Sequence, residues 1–364
     1  MSSSLDPIVA VSQRVERFLE AQREAASEFG DEARAFVESG ASAATGGKAF
    51  RARFCLAGFR AVATAGGGTS SVPDAAITAS AALEIFHAAA LVHDDVIDKS
   101  DTRRGRPASH RAWEAEHRAT AWAGDAEEFG RSAAILLGDL LVAWSDDLLE
   151  EGLANVENPR AHRARTEFAR MRREVTIGQF LDVAEESAYV VAPVDTHPDR
   201  ALRVASLKSA RYSVQHPLQL GATLADADDG QYRALAAFGH PIGLAFQLRD
   251  DVLGVFGDSA VTGKPVGDDL REGKRTLLIA YARASLPAGA LRIFDELVGE
   301  RDLTPEQVAH LQQTIVDTGA LARVEELITD WAAEADRALR GARLGHGAVG
   351  DLRDLARAAT VRAA

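Results

Sequence analysis

The sequence predicts an all-α protein built as one domain of packed helices. Alanine is abundant, and apolar residues recur mostly three or four positions apart, which is the period of an amphipathic helix. Ile8, Val11 and Val15 make one such stripe, and Leu311 and Ile315 belong to another. Alternation of Val, Ile and Thr, which would indicate β-strands, is scarce. The chain has 364 residues, of which 46% are hydrophobic, so it can bury a large core.

Turn-rich breaks separate the periodic segments into individual helices. The predicted helices run over 6–29, 48–65, 73–98, 131–153, 160–188, 197–224, 230–257, 274–285, 288–299, 304–317 and 319–340. The breaks AGGGTSSVP, AGDAEEFG, VVAPVDTHPD and SAVTGKPVGDD are rich in Gly, Pro, Ser and Asp, which favour turns. No break is an evident domain linker, so we expect a single all-α domain over 1–364. Residues 341–364 fit either a flexible tail or a terminal helix.

Composition excludes several classes of partner. The formal net charge of −13 argues against a nucleic-acid partner, which would require an extended basic surface. Cys55 is the only cysteine, so no intrachain disulfide can form and a reducing, cytoplasmic setting is expected. The start, MSSSLDPIVA, lacks the basic and apolar regions of a signal peptide. The chain contains no run of about 18 apolar residues, so no transmembrane helix is expected.

An aspartate-rich motif occurs twice and is the strongest chemical signal in the chain. In the first copy, Asp94 and Asp98 are four residues apart, so both carboxylates project from one face of a helix. The second copy begins at Asp250 and Asp251. Apolar sequence flanks both copies, and buried like charges are costly unless a cation neutralises them. Magnesium suits such a site, because it takes one or two carboxylates together with substrate phosphates.

The second copy departs from the pattern of the first at its third acidic position. Gly254 stands where a DDxxD motif would have an aspartate. Asp258 lies a further turn along the helix, about 6 Å away at 1.5 Å per residue. Asp258 is therefore not expected to replace the missing carboxylate.

Basic residues cluster beside the acidic motifs. Arg103 and Arg104 follow the first motif in the loop RRGRP, and arginine can bind two diphosphate oxygens at once. The glycine pair before Lys48 and Arg51 opens a predicted helix, whose N-terminus attracts anions. Taken singly, each basic segment also fits a solvated surface charge. Other polar candidates follow apolar positions or flank the second motif: His87, Gln179, Asp182, Lys208, Gln247, Lys264 and Lys274.

Together these segments resemble the trans-isoprenyl diphosphate synthases, and among them the geranylgeranyl diphosphate synthases. The resemblance covers about residues 46–276 and rests on GGKAFR, DDVID with RRG, GD at 138–139, GQFLD, KSARY, FQLRDD and GKPVGDDLREGKRT, in the order of that family. It implies one domain of packed helices around a deep central cavity, in a homodimer. It also implies head-to-tail condensation of isopentenyl diphosphate with dimethylallyl, geranyl or farnesyl diphosphate.

The resemblance implies roles for individual residues. The metal ligands would be Asp94, Asp98 and Asp250, with Asp95 and Asp251 as their catalytic neighbours and three Mg²⁺ per site, for which Mn²⁺ could substitute. The allylic diphosphate would be held by Arg103, Lys208, Ser209, Gln247, Lys264 and Lys274. Isopentenyl diphosphate would be held by Lys48, Arg51, His87 and Arg104. Ser209 replaces the threonine of the family's KT pair and keeps its hydroxyl.

Product length follows from the residues that precede the first motif. Ala89 and Ala90, about one turn before Asp94, are too small to stop a C15 chain, and Phe86 lies roughly 12 Å before Asp94 at 1.5 Å per residue. We expect Phe86 to be the floor of the tunnel and the product to be C20, with C25–C50 products as the alternative. On this path, Ala89→Phe is expected to shorten the product.

Three other functions compete with a prenyl synthase. An HD-type phosphohydrolase would use His93 and Asp94 but needs further metal-binding histidines at helical spacing, which the chain does not offer. A related terpene cyclase would not need Lys48, Arg51 and His87, because it binds only one diphosphate. A non-catalytic subunit of a prenyl synthase would be expected to lose acidic ligands that this chain retains.

Overall fold

The structure is a computed structural model that describes residues 6–68, 71–258 and 266–360. Within these ranges nearly all regular structure is helical, so the predicted all-α class is confirmed. Backbone contacts divide the chain into two compact units. Unit 1 comprises Met1–Phe59 and Ser70–Ala161, and unit 2 comprises Arg60–Thr69 and His162–Ala364. Each unit is described by itself, and the single domain stays a prediction.

Unit 1 is organised around a long apolar helix, α4 (Asp74–Ile97), which packs along α6 (Ala126–Leu153). Its helices are α1 (Pro7–Ala26), α2 (Asp31–Ala44), most of α3 (Phe50–Ala63), α4 (Asp74–Ile97), α5 (Ser109–Ala119) and α6 (Ala126–Leu153). Gly152 allows this packing, because a Cβ there would lie 2.9 Å from the Cβ of Thr78 on α4. Cys55 of α3 is fully buried, and burial raises the pKa of its thiol to about 12.

Two helices of unit 1 were not predicted from the sequence. In α2 the buried residues are Gly40, Ala41 and Ala44, which are too small to produce a clear apolar stripe. The buried face of α5 consists of His110, Trp113, Glu114 and His117, so polar residues mask its period. Helix α6 also begins earlier than expected, because Asp125 caps it by accepting hydrogen bonds from two backbone amides.

The segment RRG is a β-hairpin and not the irregular loop expected from its Gly and Pro. Strands β1 (Thr102–Arg103) and β2 (Arg106–Pro107) pair antiparallel, with Arg103 opposite Arg106. The turn residues Arg104 and Gly105 have φ of 53° and 73°, as a two-residue type I′ turn requires. The hairpin fixes the spacing and the directions of its arginines.

Unit 2 surrounds an 11-residue π-helix that interrupts the predicted helix 197–224. Its helices are most of α7 (Asn158–Ala188), α8 (His197–Val204), the π-helix (Ala205–Gln215), α9 (His216–Leu224), α10 (Asp229–Phe256), α11 (Asp268–Glu272), α12 (Leu277–Ser285), α13 (Ala288–Leu297), α14 (Pro305–Asp317), α15 (Ala320–Ala338) and α16 (His346–Thr360). Short 3₁₀ turns span Ala65–Gly67 and Val194–Thr196. Helix α16 occupies the segment for which the sequence allows a tail or a last helix.

Two glycines bring helices against the backbone of the π-helix. A side chain at Gly178 of α7 would overlap the backbone of Leu207 and Lys208. A side chain at Gly243 of α10 would overlap the backbone of Ala210. The π-helix is therefore clamped on two sides within unit 2, and such helices occur often at functional sites.

Helix α4 is the one described helix whose length and composition match a membrane span. Its mean hydropathy is 1.7 over the best 18-residue window, and 72% of that window is buried. The sequence was not expected to contain such a segment, because His and Thr interrupt its apolar runs. Burial to this extent is typical of a core helix.

Candidate functional site

The first acidic motif lies at the C-terminal end of α4. Phe86, Ala90, Asp94 and Asp98 follow one another at four-residue intervals and so share one face of the helix. The helix ends here, because Asp98 is its C-cap and the next residue, Lys99, has a φ of 55° in the left-handed region. The partial negative charge of a helix C-terminus adds to that of the carboxylates. A cation at this end of α4 is therefore strongly favoured.

Asp95 points away from that face and is held by Arg103 of the hairpin. The Arg103 Nε donates to Asp95 Oδ1 at 2.9 Å, and its guanidinium also lies 3.7 Å from Asp94 Oδ2. Burial raises the pKa of the Asp95 carboxyl, and the charge of Arg103 opposes that rise. Asp95 thus positions Arg103 beside the motif.

Arg104, the next residue, lies against the glycine pair that precedes α3. Its guanidinium donates to the carbonyl of Thr45 at 3.3 Å. Gly46 and Gly47 have φ of +83° and +99°, and a Cβ at Gly47 would come within 2.9 Å of Arg104 Nη2. The positive φ favours glycine here, and an added methyl group would force the Arg104 guanidinium to shift. The pair therefore forms a seat for Arg104 and is not simply a flexible link.

Arg51, Arg103 and Arg104 lie near enough to His87 to affect its charge. Burial, followed by the positive charges of Arg51, Arg104 and Arg103, holds the pKa of His87 well below its usual value. His87 is therefore neutral and can donate one hydrogen bond among three cations. The sequence predicted a helix over 48–65 that would contain both Lys48 and Arg51, but α3 begins only at Phe50, and Lys48 lies exposed in the preceding loop.

If Arg104 holds isopentenyl diphosphate, as the resemblance implies, Gly47→Ala is expected to raise the KM for that substrate about tenfold, because the methyl group displaces Arg104 and a charged hydrogen bond is lost. The KM for the allylic substrate should change by less than about twofold. Gly124→Ala is a matched control, since Gly124 has φ of +105° and no atom near its Cβ position. Steady-state kinetics with each substrate varied in turn would test this. Equal effects of the two variants would contradict it.

The second motif lies near the end of α10 in unit 2. Asp250 is half-buried, whereas Asp251 is buried and accepts a hydrogen bond from Gln247 Nε2 at 2.7 Å. Burial and the nearby charge of Asp269 raise the pKa of Asp251 to about 8. Asp251 is thus an internal carboxyl held by Gln247, and Asp250 is the more accessible of the pair.

Asp269 takes the space that a side chain at Gly254 would need. A Cβ built at Gly254 would overlap the Asp269 carboxylate. A third carboxylate therefore does stand beside the second motif, although it comes from α11. Its sequence signal was the segment GDD after the motif, which was interpreted only as part of a polar loop.

The lysines expected to bind diphosphate are held by acidic partners. Lys274 Nζ lies 2.9 Å from Glu272 Oε2 and 3.4 Å from Asp269 Oδ1. On the π-helix, Lys208 Nζ donates to Asp182 Oδ2 at 2.5 Å. These carboxylates orient the ammonium groups before any substrate binds. Ser209 follows Lys208 and is half-buried, and Lys264 lies outside the described residues.

Metal ligation can be assessed from the donor set. Among the described residues, no three His, Cys, Asp or Glu side chains converge to form a closed metal site. Asp94 and Asp98 instead form an open pair, and Asp250 stands beside Asp251 and Asp269. An open carboxylate set suits Mg²⁺, which completes its shell with water and phosphate oxygens.

Comparison with known proteins agrees with this geometry. The polyprenyl synthetase model matches residues 36–315, which is most of the chain. The chain is 39% identical to a geranylgeranyl pyrophosphate synthase from Corynebacterium glutamicum, solved with isoprenyl diphosphate and magnesium. The TM-score is 0.90, and the match covers 98% of each chain. The protein belongs to the polyprenyl synthetase family.

Curated relatives of this polyprenyl synthetase make products of different lengths. Geranylgeranyl diphosphate synthase of Mycobacterium tuberculosis is 38% identical over 252 residues, which is 69% of this chain and 63% of the relative. Geranylfarnesyl diphosphate synthase of Aeropyrum pernix is 32% identical over 251 residues, which is 69% of this chain and 71% of the relative. The match thus spans roughly two thirds of each relative. The family is one of trans-prenyltransferases.

His93 has a structural position in this polyprenyl synthetase. Its Nε2 lies 3.1 Å from the carbonyl oxygen of Ile135 and 3.5 Å from Asp139 Oδ1. A side chain at Gly138 would overlap the imidazole ring, which explains the glycine of the GD pair. His93 therefore joins α4 to α6, and this contact gives no support to a phosphohydrolase.

Proposed function

We propose that this polyprenyl synthetase condenses isopentenyl diphosphate head-to-tail with an allylic diphosphate, chiefly yielding geranylgeranyl diphosphate. The observation that carries the proposal is the pair Arg51 and Arg104 near a neutral His87, in addition to Arg103 at the acidic end of α4. An enzyme that only ionises one diphosphate does not need this second anion site. The pair therefore favours condensation over a terpene cyclase.

The acidic pairs would hold the divalent cations. Asp94, Asp98 and Asp250 are the proposed ligands of three Mg²⁺, for which Mn²⁺ can substitute. When bound, the ions neutralise charge on the leaving diphosphate of the allylic substrate. Both acidic pairs being intact also argues against a non-catalytic subunit.

The basic residues bind and orient the substrates. Arg103, fixed by Asp95, presents a planar fork to the allylic diphosphate, and Lys208, fixed by Asp182, presents a point charge. Arg51, Arg104 and His87 hold the diphosphate of isopentenyl diphosphate, with Lys48 supplied from its exposed loop. Holding both substrates side by side converts a bimolecular encounter into an intramolecular attack.

The reaction then proceeds on the substrates themselves. The allylic C–O bond breaks, and the π-electrons of isopentenyl diphosphate form the new C–C bond to the allylic carbon. Loss of a proton from the adjacent carbon regenerates a double bond, and the departing diphosphate accepts that proton. Donors positioned for the charge that develops on the leaving group supply most of the rate enhancement.

Product length is proposed to be set along the α4 stripe. Ala90 is half-buried and Phe86 is buried, four and eight residues before Asp94 on the same face. Ala89 lies off this stripe and is fully buried. The substitution that tests product length should therefore be made at Ala90 and not at Ala89, because a larger residue at Ala89 would disturb packing first.

Ala90→Phe is expected to shift the main product from C20 to C15 or shorter, because a ring there shortens the tunnel by one helical turn. The decisive assay incubates the protein with isopentenyl diphosphate, Mg²⁺ and each allylic starter, and sizes the products by chromatography. Ala89→Phe serves as the control. It should lower the melting temperature and have little effect on product length. C25–C50 products from the wild type would favour the longer-chain alternative, and absence of condensation would refute the proposed function.

A second copy of the chain is the proposed protein partner, and the cytoplasm is the proposed location. Each unit has exposed apolar residues on a long helix: Ile135 and Leu136 on α6, and Ile177 and Phe180 on α7. Exposed apolar patches are typical of interaction surfaces. Size-exclusion chromatography with light scattering would identify the homodimer.

A further inference from the structure

A buried histidine directly follows the π-helix, and the proposed condensation does not use it. His216 is the first residue of α9 and is only 1% exposed. Its Nδ1 lies 2.5 Å from Glu167 Oε1, and its Nε2 lies 3.0 Å from Glu174 Oε2. Glu167 also accepts a hydrogen bond from the Tyr232 hydroxyl at 2.6 Å. The imidazole ring therefore bridges two carboxylates of helix α7.

Both contacts can be hydrogen bonds only if the ring is positively charged. Neutral imidazole has one donor and one acceptor nitrogen, whereas imidazolium donates from both. Burial raises the pKa of Glu174, but hydrogen bonds from Arg170, His216 and Arg211 outweigh burial and lower that pKa to about 2. Glu174 is thus ionised, and Glu167 is only 5% exposed. A buried carboxylate that loses its charged partner is strongly destabilising, so the cluster favours the imidazolium.

His216 is the last member of a series of charged contacts between α7 and the segment that carries Lys208. The members of this charged series are Lys208 with Asp182, Arg211 with Glu174, and His216 with Glu174 and Glu167. The two segments are antiparallel in the series, because later residues of the π-helix contact earlier residues of α7. The charged series therefore fixes the register between the π-helix and α7.

The charged series also explains why this segment keeps its π-helical form. A π-turn closes between residues i and i+5 and so holds more residues than the 3.6 of an α-turn. Conversion of 205–215 to an α-helix would therefore rotate Lys208 relative to His216. The two ends of the charged series could then no longer contact α7 together. Loss of the contacts at His216 frees the C-terminal end of the segment and so favours that conversion.

We propose that His216 is a positioning residue for Lys208. As an imidazolium that bridges Glu167 and Glu174, it holds the π-helix in register with α7, and this register places the Lys208 ammonium at the allylic diphosphate. The last step rests on the proposed function, in which Lys208 binds that diphosphate. His216 itself is buried against α7 and acts through the backbone of the π-helix.

His216→Gln is expected to raise the KM for the allylic substrate about fivefold and the KM for isopentenyl diphosphate less than about twofold, because a neutral amide leaves both glutamates without their shared positive charge. Glu167→Gln should raise the allylic KM too, although Glu167 lies 15 residues before Asp182, about 22 Å along α7 at 1.5 Å per residue. In a Lys208→Ala background, His216→Gln should have no further effect, since it acts through Lys208.

Two measurements without substrate test the same role. Nitrogen-15 NMR of histidine-labelled protein at neutral pH should show a ring with both nitrogens protonated, whose signals disappear in His216→Gln. Hydrogen–deuterium exchange over 205–215 should be faster in that variant. His117→Gln is the matched control, because His117 is a buried histidine of unit 1 whose Nε2 lies 3.3 Å from the Ala123 carbonyl oxygen. It should lower the melting temperature without changing either KM or the exchange over 205–215.

Several results would overturn the role of His216. These are a neutral His216 ring, unchanged exchange over 205–215, an unchanged allylic KM in both His216→Gln and Glu167→Gln, or an undiminished effect of His216→Gln in the Lys208→Ala background. Condensation by the wild type together with any of these results refutes only the positioning role. Absence of condensation refutes the proposed function, and the NMR and exchange measurements then still test the ring and the register.

Discussion

Asp94→Ala is expected to lower kcat by on the order of 10³-fold, because one of two carboxylates on the accessible face of α4 is lost. Asp98→Ala should have a similar effect. The helix C-terminus adds negative charge at this point, so removing either aspartate should not destabilise the fold. Turnover under saturating substrate and Mg²⁺ is the measurement, with the melting temperature recorded beside it.

Asp147→Ala is the matched control, because Asp147 is an exposed aspartate on another helix of unit 1. It should leave kcat unchanged. Near-normal turnover in Asp94→Ala or Asp98→Ala would contradict the metal-holding role of the first motif. Direct titration of Mn²⁺ by electron paramagnetic resonance would separate loss of metal from loss of chemistry.

Gly254→Asp is expected to lower activity by about 10- to 100-fold, although it restores the aspartate that a DDxxD motif usually has. The new side chain would overlap the Asp269 carboxylate and bring another negative charge beside Asp250 and Asp251. Like charges placed together at a partly buried site are costly. The measurement is kcat over a range of Mg²⁺ concentrations.

The swap variant Gly254→Asp with Asp269→Gly provides the decisive comparison. It moves the third carboxylate from α11 back to α10 and removes the overlap, so activity should recover by at least tenfold relative to Gly254→Asp. With Asp269→Gly alone as the fourth protein, these variants form a double-mutant cycle that isolates the coupling between the two positions. If Gly254→Asp were as active as the wild type, Asp269 could not be the substitute carboxylate.

The sequence predicted the parts of the fold in which one strong local signal decides the structure. Helix α4 was expected over 73–98 and spans Asp74–Ile97, because its apolar run is long and the acidic motif ends it. Helices α2 and α5 were missed because their buried residues are small or polar. Period alone cannot reveal a helix of that kind.

The contacts of the candidate site were also beyond what the sequence could predict. The residue types of the acidic and basic motifs could be identified from spacing, but their partners could not. Arg103 on Asp95, Lys208 on Asp182 and Lys274 on Asp269 are contacts set by tertiary structure. Asp269 itself was overlooked because its role depends on the missing side chain of Gly254, which lies 15 residues earlier in the chain.

The glycines that clamp the π-helix bear on how substitutions in this chain should be interpreted. Gly178 stands in GQFLD beside polar residues, and Gly243 stands in an apolar run before the second motif. Intolerance to replacement at either position would suggest a catalytic residue, yet neither has a side chain to offer. What selection would preserve there is backbone clearance, because a single added methyl group would move the segment that carries Lys208.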